Sequence, residues 1–379
     1  MIRKYLYYLV KKASERAHRP YYRDYYKAYT ERCAASAERK PDRVMRREMR
    51  ALERYWGCMP TQYYRYRFWH RECPLTLEEM KRYIPDFFAF YLLYPLSFRD
   101  RNILCEDKRL MYGLNDGLGI PQPRAVFNTR DGGIYDPQLN PISEGEAMER
   151  IRACRAASIF LKPTFGVGGR GIRVYEREGE RYIDTKSGEA LSTGLLTTLA
   201  GEDYLAEEGV VQHPVMNAIY PHSVNTFRIV TECDGKRQAR VLLSLMRMGS
   251  GGSRIDNASS GGLYIRVDPA SGILSDAALR DDHTAYPTHP DTGFRFAGYE
   301  IPMWEELAAF ASATALKYRE MRYVGWDIAY TERGPVVIEG NNGPGMGILQ
   351  DHYGGLRDTF GIDEPRKYWF RENFTLRND

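Results

Sequence analysis

The sequence predicts an α+β protein in which strands arrive in groups rather than one after each helix. Three observations carry that expectation. Residues 1–56 are rich in Arg, Lys, Glu, Ala and Tyr and read largely as helix. Strand signals dominate from Ser158 onward. Near the end, Gly325–Tyr330 and Val336–Asn342 alternate apolar and polar residues around the turn-like Thr331-Glu332-Arg333-Gly334-Pro335, the pattern of adjacent antiparallel strands. At 379 residues the chain can bury a large core and divide into two or three lobes.

Within the helical leader, Arg19-Pro20 and Lys40-Pro41 predict breaks, because proline lacks the amide proton a helix interior needs. Cys58 to Pro74 reads as irregular, and Thr76 with Glu79 forms a capping-box start. The aromatic run Tyr83 to Leu96 contains Asp86 and two prolines and is short for a bilayer crossing. It reads as docking surface buried between lobes, with peripheral membrane contact as the alternative. Asp107 to Leu114 suits a helix stopped around Gly117-Leu118-Gly119, after which Ile120 to Phe127 enters a strand. Glu144 to Ala157 is a further helix. Strands are expected at 158–162, 171–176, 209–213, 224–232, 238–246 and 262–267, and a long helix at 303–322. Four boundaries follow: an accessory leader through 98, an entry segment at 99–157, a glycine-loop lobe at 158–214 and a second lobe at 215–360. Residues 361–379 form a tail.

The net charge of +4 hides an asymmetry: residues 1–70 carry 18 Lys/Arg against 7 Asp/Glu, so the remainder is acidic. A basic leader can meet an anionic partner, including an envelope-associated one, although a solvated helical surface is the simpler account. The stretch Tyr63 to Trp69 interleaves aromatics with arginines, but no nucleic-acid module accompanies it, and nucleic acid is not the expected partner. Six scattered cysteines without a Cys-x-x-Cys pair suggest neither a disulfide scaffold nor a zinc ribbon, which fits a cytoplasmic protein. Lys11 and Lys12 interrupt the apolar start, so neither a signal peptide nor a membrane span is expected.

The residues with most chemical content lie far apart in sequence. Asp327, Glu339 and Asn341 sit where neighbouring strands bring them together, and two carboxylates with an amide oxygen suit Mg2+ completed by phosphates. Mn2+ is an alternative ion. Upstream, Lys162 precedes a loop containing Gly166, Gly168, Gly169 and Gly171. The loop matches G-x-G-x-x-G, yet a strand follows it where the dinucleotide fold requires a helix. Strand, glycine loop and strand instead describe a hairpin over phosphates. Kinase His-Arg-Asp and Asp-Phe-Gly signatures are absent, as is a Gly-Lys-Ser/Thr loop. Lys162 in extended backbone before Pro163 can reach phosphate oxygens, with Lys108 a second candidate. Val211, Gln212 and His213 suit a hinge whose backbone reads adenine. Arg247, Asp256 and Asn257 flank a glycine-rich loop suited to substrate. His289 fixes a loop or receives a proton.

The order of these elements, from Asn102 to Tyr353, resembles the ATP-grasp superfamily, and in particular its sugar-transfer-associated branch, similar to glutamate-ligase-like enzymes. Asp107-Lys108, Leu161 to Gly171, Val211 to Pro214, Pro221 to Thr231, Asp256-Asn257 with Gly261-Gly262, Thr288 to Gly293 and the final Asp327, Glu339 and Asn341 carry the resemblance. It implies an ATP-grasp fold with nucleotide between two α+β lobes and a helical N-terminal extension. The implied reaction activates a small-molecule carboxylate as an acyl phosphate with ATP and Mg2+, then joins it to an amine. Lys108 and Lys162 match the phosphate lysines, and Asp327, Glu339 and Asn341 the metal ligands. Arg228 matches a basic residue beside the transferred phosphate, with Asn225 next to it. A small-molecule or sugar kinase is the alternative enzyme. A nucleotide-binding accessory protein of polysaccharide or envelope biosynthesis is the alternative from another class.

Overall fold

The computed structural model describes residues 2–98, 101–166, 169–234, 238–258 and 261–372. By contact the chain forms two compact units. Unit 1 comprises 1–101, 320–323 and 343–379, and unit 2 comprises 102–319 and 324–342.

Unit 2 contains two seven-stranded sheets. The first is built from β1 (Ala125–Arg130), β2 (Gly133–Tyr135), β3 (Pro141–Ile142), β4 (Ser158–Pro163), β5 (Arg173–Glu178), β6 (Arg181–Asp184) and β7 (Tyr204–Glu208). Its order is β3-β2-β1-β7-β4-β5-β6, antiparallel throughout. Helices Glu144–Ala153 and Thr193–Ala200 cover it, burying Ala147, Ile151, Leu196 and Leu199 against Phe127, Ile159, Leu161 and Ala206. Ser143 starts the first of these helices with a capping box to Glu146.

The second sheet is built from β8 (Thr226–Cys233), β9 (Ala239–Met248), β10 (Leu263–Arg266), β11 (Ala278–Leu279), β12 (Ala285–Tyr286), β13 (Tyr323–Thr331) and β14 (Gly334–Asn341), in the order β12-β11-β10-β9-β8-β13-β14. Helix Trp304–Lys317 packs on β8 and β9 through an apolar stripe that includes Leu307, Ala311 and Ala315. The hairpin β13–β14 pairs Asp327 directly with Glu339 and Gly325 with Asn341. Asp327 and Glu339 are therefore cross-strand neighbours, and Asn341 follows two residues along the same face.

Unit 1 is helical and aromatic. Its core gathers Cys33, Leu52, Tyr63, Phe68, Trp69 and Met80. Trp369 returns from the C-terminal segment to donate its indole N–H to the carbonyl of Trp56 at 2.8 Å. Thr76 and Glu79 form the expected capping box.

Several expectations are corrected. Helix Ile2–Tyr25 runs through Pro20. An interior proline costs about 3 kcal/mol. Buried Tyr22 and the ion pairs of Arg19 with Glu15 and Glu53 hold the helix on either side of it. The strand expected at 209–213 lies instead at 204–208, where β7 sits between β1 and β4 and is buried on both faces, so its sequence lacks alternation. The 99–157 segment contributes three strands to the same sheet as the glycine hairpin rather than forming a separate part. Residues 343–372 belong to the unit that contains the leader, so the boundary expected at 360 falls at 342. The aromatic run at 83–94 is core of unit 1, with Phe88 against Trp56 and Tyr368. The long final helix stops at Lys317.

Candidate nucleotide and metal site

Unit 2 carries a polar cleft of about 190 Å³, lined on one side by Lys108 at a helix start, Lys162 and the glycine hairpin of the first sheet, and on the other by Arg228, Arg247, Asp327, Glu339 and Asn341 of the second sheet with the loop residues Asp256 and Asn257. Lys162, Ile172, Thr226, Ile255, Asp256 and Ile338 also border an adjoining recess of about 120 Å³. That recess is apolar, walled by Pro123, Phe160, Val210 and Val224, with Glu208 at its edge.

Each side chain is held by the local structure its sequence forms. Asp107 caps helix Lys108–Gly117, accepting from the amides of Arg109 and Leu110, and places Lys108 at the helix start. The Lys108 ammonium donates to the carbonyl of Gly166 at 3.0 Å and lies 3.3 Å from Glu339. It thus links the glycine loop to the last strand. Lys162 stands on β4, and Glu207 on β7 is its diagonal neighbour, 2.5 Å away. The hairpin from β4 to β5 needs its glycines: Gly171 has φ +75°, and a Cβ there would lie 2.9 Å from Pro163. Gly169, at φ +71°, comes beside Ile255 and Asn257 of the facing loop. Gly168 lies outside the described residues.

On the second sheet, Arg228 grips Asp327 with two hydrogen bonds, Nε at 2.5 Å and Nη2 at 3.0 Å. Arg247 reaches the same carboxylate at 3.1 Å and Asp256 at 3.3 Å, and donates to the Thr226 hydroxyl. Thr226 in turn donates to Asp256. Burial alone would raise the pKa of Asp327, but Arg228 and Arg247 hold it below the ordinary carboxylate value. Burial would lower that of Arg247, yet Asp256, Asp327 and Glu339 keep it above its ordinary value. Lys108, Lys162, Arg228 and Arg247 are thus each paired with a carboxylate (Glu339, Glu207, Asp327 and Asp256), and Arg170 adds a further cation to the lining of the cleft.

No group of three or more His, Cys, Asp and Glu gathers within metal-ligand reach among the described residues. The hard-oxygen set is two carboxylates and an amide, which fits an ion whose remaining ligands come from phosphates. Asn341 donates its amide N–H to the carbonyl of Gly325, fixing the side chain beside Asp327.

Five expected site residues stand elsewhere. Val211 is exposed, and neither Gln212 nor His213 lines the cleft. The side chain of Gln212 bonds Asn217, the Tyr220 carbonyl and the Asn225 amide, while His213 caps helix Pro214–Ile219. The recess is bordered instead by Glu208 and Val210, a shift that follows the displaced strand. Asn225 is fully buried and donates to the carbonyls of Met216 and Tyr220. His289 is buried against Tyr220, bonds the Gly249 carbonyl at 2.9 Å and accepts from the Asp291 amide. Sequence reasoning missed Glu207, Thr226 and Arg170. Glu207 carried a signal, since the polar pair Glu207-Glu208 closes an otherwise apolar segment.

The chain matches the sugar-transfer associated ATP-grasp family over residues 93–358. It belongs to that family. By family it is an ATP-binding protein of the ATP-grasp type. No curated protein matches it significantly. Among solved structures it is similar to D-alanine–D-alanine ligase from Bacillus anthracis, at 14% identity over 71% of this chain and 70% of that one, with a TM-score of 0.39. D-alanyl-alanine synthetase A from Vibrio cholerae O1 gives 13% identity, 72% and 68% coverage and a TM-score of 0.42. The ATP-grasp ligase PsnB, complexed with a phosphomimetic variant of its minimal precursor, Mg and ADP, gives 16% identity and a TM-score of 0.38. The match covers 70% of this chain and 61% of PsnB.

Proposed function

We propose that this family member is an ATP-dependent carboxylate–amine ligase working through an acyl phosphate. The observation that carries the reading is the cluster of paired cations and carboxylates beside an apolar recess. A purine stacks between Ile172, Val210 and Ile338, with the backbone near Glu208 and Val210 reading its edge. Lys108 and Lys162 release Glu339 and Glu207 to take phosphate oxygens. Asp327, Glu339 and Asn341 would hold Mg2+, which when bound offsets charge on the phosphates.

Arg228 and Arg247 then face the γ-phosphate and an incoming carboxylate. The substrate carboxylate oxygen attacks the γ-phosphorus and ADP leaves. An amine next attacks the acyl carbon, the carbon–oxygen bond to phosphate breaks, and the amine nitrogen gives up a proton. The two guanidinium groups stabilise the oxyanion formed between those events. The glycine hairpin, reaching Ile255 and Asn257, excludes water that would hydrolyse the acyl phosphate. Arg247, Asp256 and Asn257 orient the substrate.

Pooled carboxylic acids, ATP, Mg2+ and hydroxylamine test this directly. Hydroxamate with stoichiometric ADP and phosphate is expected. A stable phosphorylated product would indicate a kinase. Absence of any nucleotide turnover across the pool would favour an accessory binding protein.

A further inference from the structure

The first helix of unit 1, Ile2–Tyr25, buries one face and leaves an apolar one outward. Tyr7, Lys11, Glu15 and Tyr22 point into the unit. Leu6, Leu9, Val10, Ala13 and Ala17 recur at three- and four-residue spacing on the opposite side, all exposed. Leu6, Leu9 and Val10 are each 40% or more accessible. A strip of this kind on a folded unit marks a surface that meets something apolar. Its surroundings say what. Arg16 and Arg23 stand exposed along one border, and the exposed rings of Tyr5, Tyr21 and Tyr25 flank its ends.

A second helix, Asp42–Trp56, is tied to the first by the Arg19–Glu53 pair and by Lys12 donating to the carbonyl of Gly57. It presents Arg43, Arg46, Arg47, Arg50 and Arg54 on one face, all exposed, and none forms an ion pair among the described residues. An apolar strip with tyrosine margins and uncompensated arginines complements an interface that is apolar below and anionic above. No helix is long and apolar enough to cross a membrane among the described residues, so the geometry is that of lying on one.

We propose that unit 1 docks on the headgroup region of an anionic phospholipid bilayer, with the Leu6–Ala17 strip inserted and the arginine face held by lipid phosphates. The proposal is independent of the reaction assigned to unit 2. Flotation of the full chain tests it, using phosphatidylcholine vesicles with and without phosphatidylglycerol. Binding to the anionic vesicles alone, weakening as salt rises, is expected. The double variant Leu9→Gln/Val10→Gln and the triple variant Arg43→Glu/Arg47→Glu/Arg50→Glu should each lower partitioning by about tenfold or more, with circular dichroism and ATP binding unchanged. Failure of the wild-type chain to float, equal binding to neutral vesicles, or unimpaired flotation of either variant would overturn it. So would a concentration-dependent dimer that Leu9→Gln/Val10→Gln dissociates, because the strip would then cover a second copy.

Discussion

Two buried arginine–aspartate pairs, one in each unit, have nearly the same geometry and opposite consequences. In unit 1, Arg65 grips Asp351 at 3.1 and 2.6 Å, and its third nitrogen donates to the Tyr29 hydroxyl. Gly347 lets the guanidinium through, since a Cβ there would lie 3.0 Å from it. Tyr29 and Tyr66 close in around it, and its charge is balanced by one carboxylate. In unit 2, Arg228 grips Asp327 as tightly, but a second arginine, Glu339 and an open cleft adjoin the pair. A sealed, satisfied pair is a staple. A pair with neighbouring charge and space beside it can exchange partners, which is what binding a polyanion and a cation requires.

Removing one partner separates these roles, and the largest effect is expected from the staple. Arg65→Ala strands a buried carboxylate and should cost about 3–5 kcal/mol of stability. Denaturant unfolding would show it, while turnover per folded molecule stays near wild type. A loss under about 1 kcal/mol would mean that Arg65 is not the staple described.

Glu339→Gln sits on the other side of the comparison. Turnover should fall about 10²-fold or more, with little change in unfolding midpoint. Wild-type rates at ordinary Mg2+ concentration would remove Glu339 from the metal set.

Gly171→Ala sharpens the account of the cleft roof. Placing a side chain at positive φ and against Pro163 should destabilise the hairpin by about 1–2 kcal/mol. Hydrogen exchange across 163–173, with and without a non-hydrolysable ATP analogue, should show protection on nucleotide binding in the wild-type chain and weaker protection in the variant. Identical wild-type exchange in the two conditions would rule out a lid.

The smallest expected effect concerns His289, whose pKa burial lowers from its ordinary value of 6.5. Because the folded-state value is depressed, its contribution to stability is full above the unfolded value and is lost as pH falls through the folded one. Melting temperature should therefore drop between pH 7.5 and 5.5. His289→Gln keeps a donor for Gly249 without titrating, so its melting temperature should drop less. Parallel curves for the two proteins would show that His289 does not titrate in that range.

Much of unit 2 was legible in the chain because local patterns reported it. Alternation around Thr331–Pro335 predicted β13–β14, and that hairpin puts Asp327 opposite Glu339 with Asn341 along the same face. The strand after the glycine loop excluded a dinucleotide fold, and the hairpin β4–β5 is there. The hinge expected at Val211, Gln212 and His213 lies off the recess because Val210-Val211 look more strand-like than Tyr204-Leu205-Ala206-Glu207-Glu208. The latter lies mid-sheet, where burial on both faces erases alternation. Asn225 and His289 are the polar, unusual residues that sequence reading assigns to chemistry. Both instead satisfy backbone groups in the packed interior.

The sequence by itself determined part of the inventory: Lys108, Lys162, Arg228, Arg247, Asp327, Glu339 and Asn341, their chain order, and most of the local elements that present them. Tertiary structure alone decided company. Lys162 meets Glu207 only because β7 inserts between β1 and β4, and Arg228, Arg247 and Asp327 meet only because β8 lies between β9 and β13. Strand order is set by which faces can bury together across the whole sheet, a long-range condition that no local period records. For the same reason, one arginine–aspartate pair became a staple and the other the floor of a cleft.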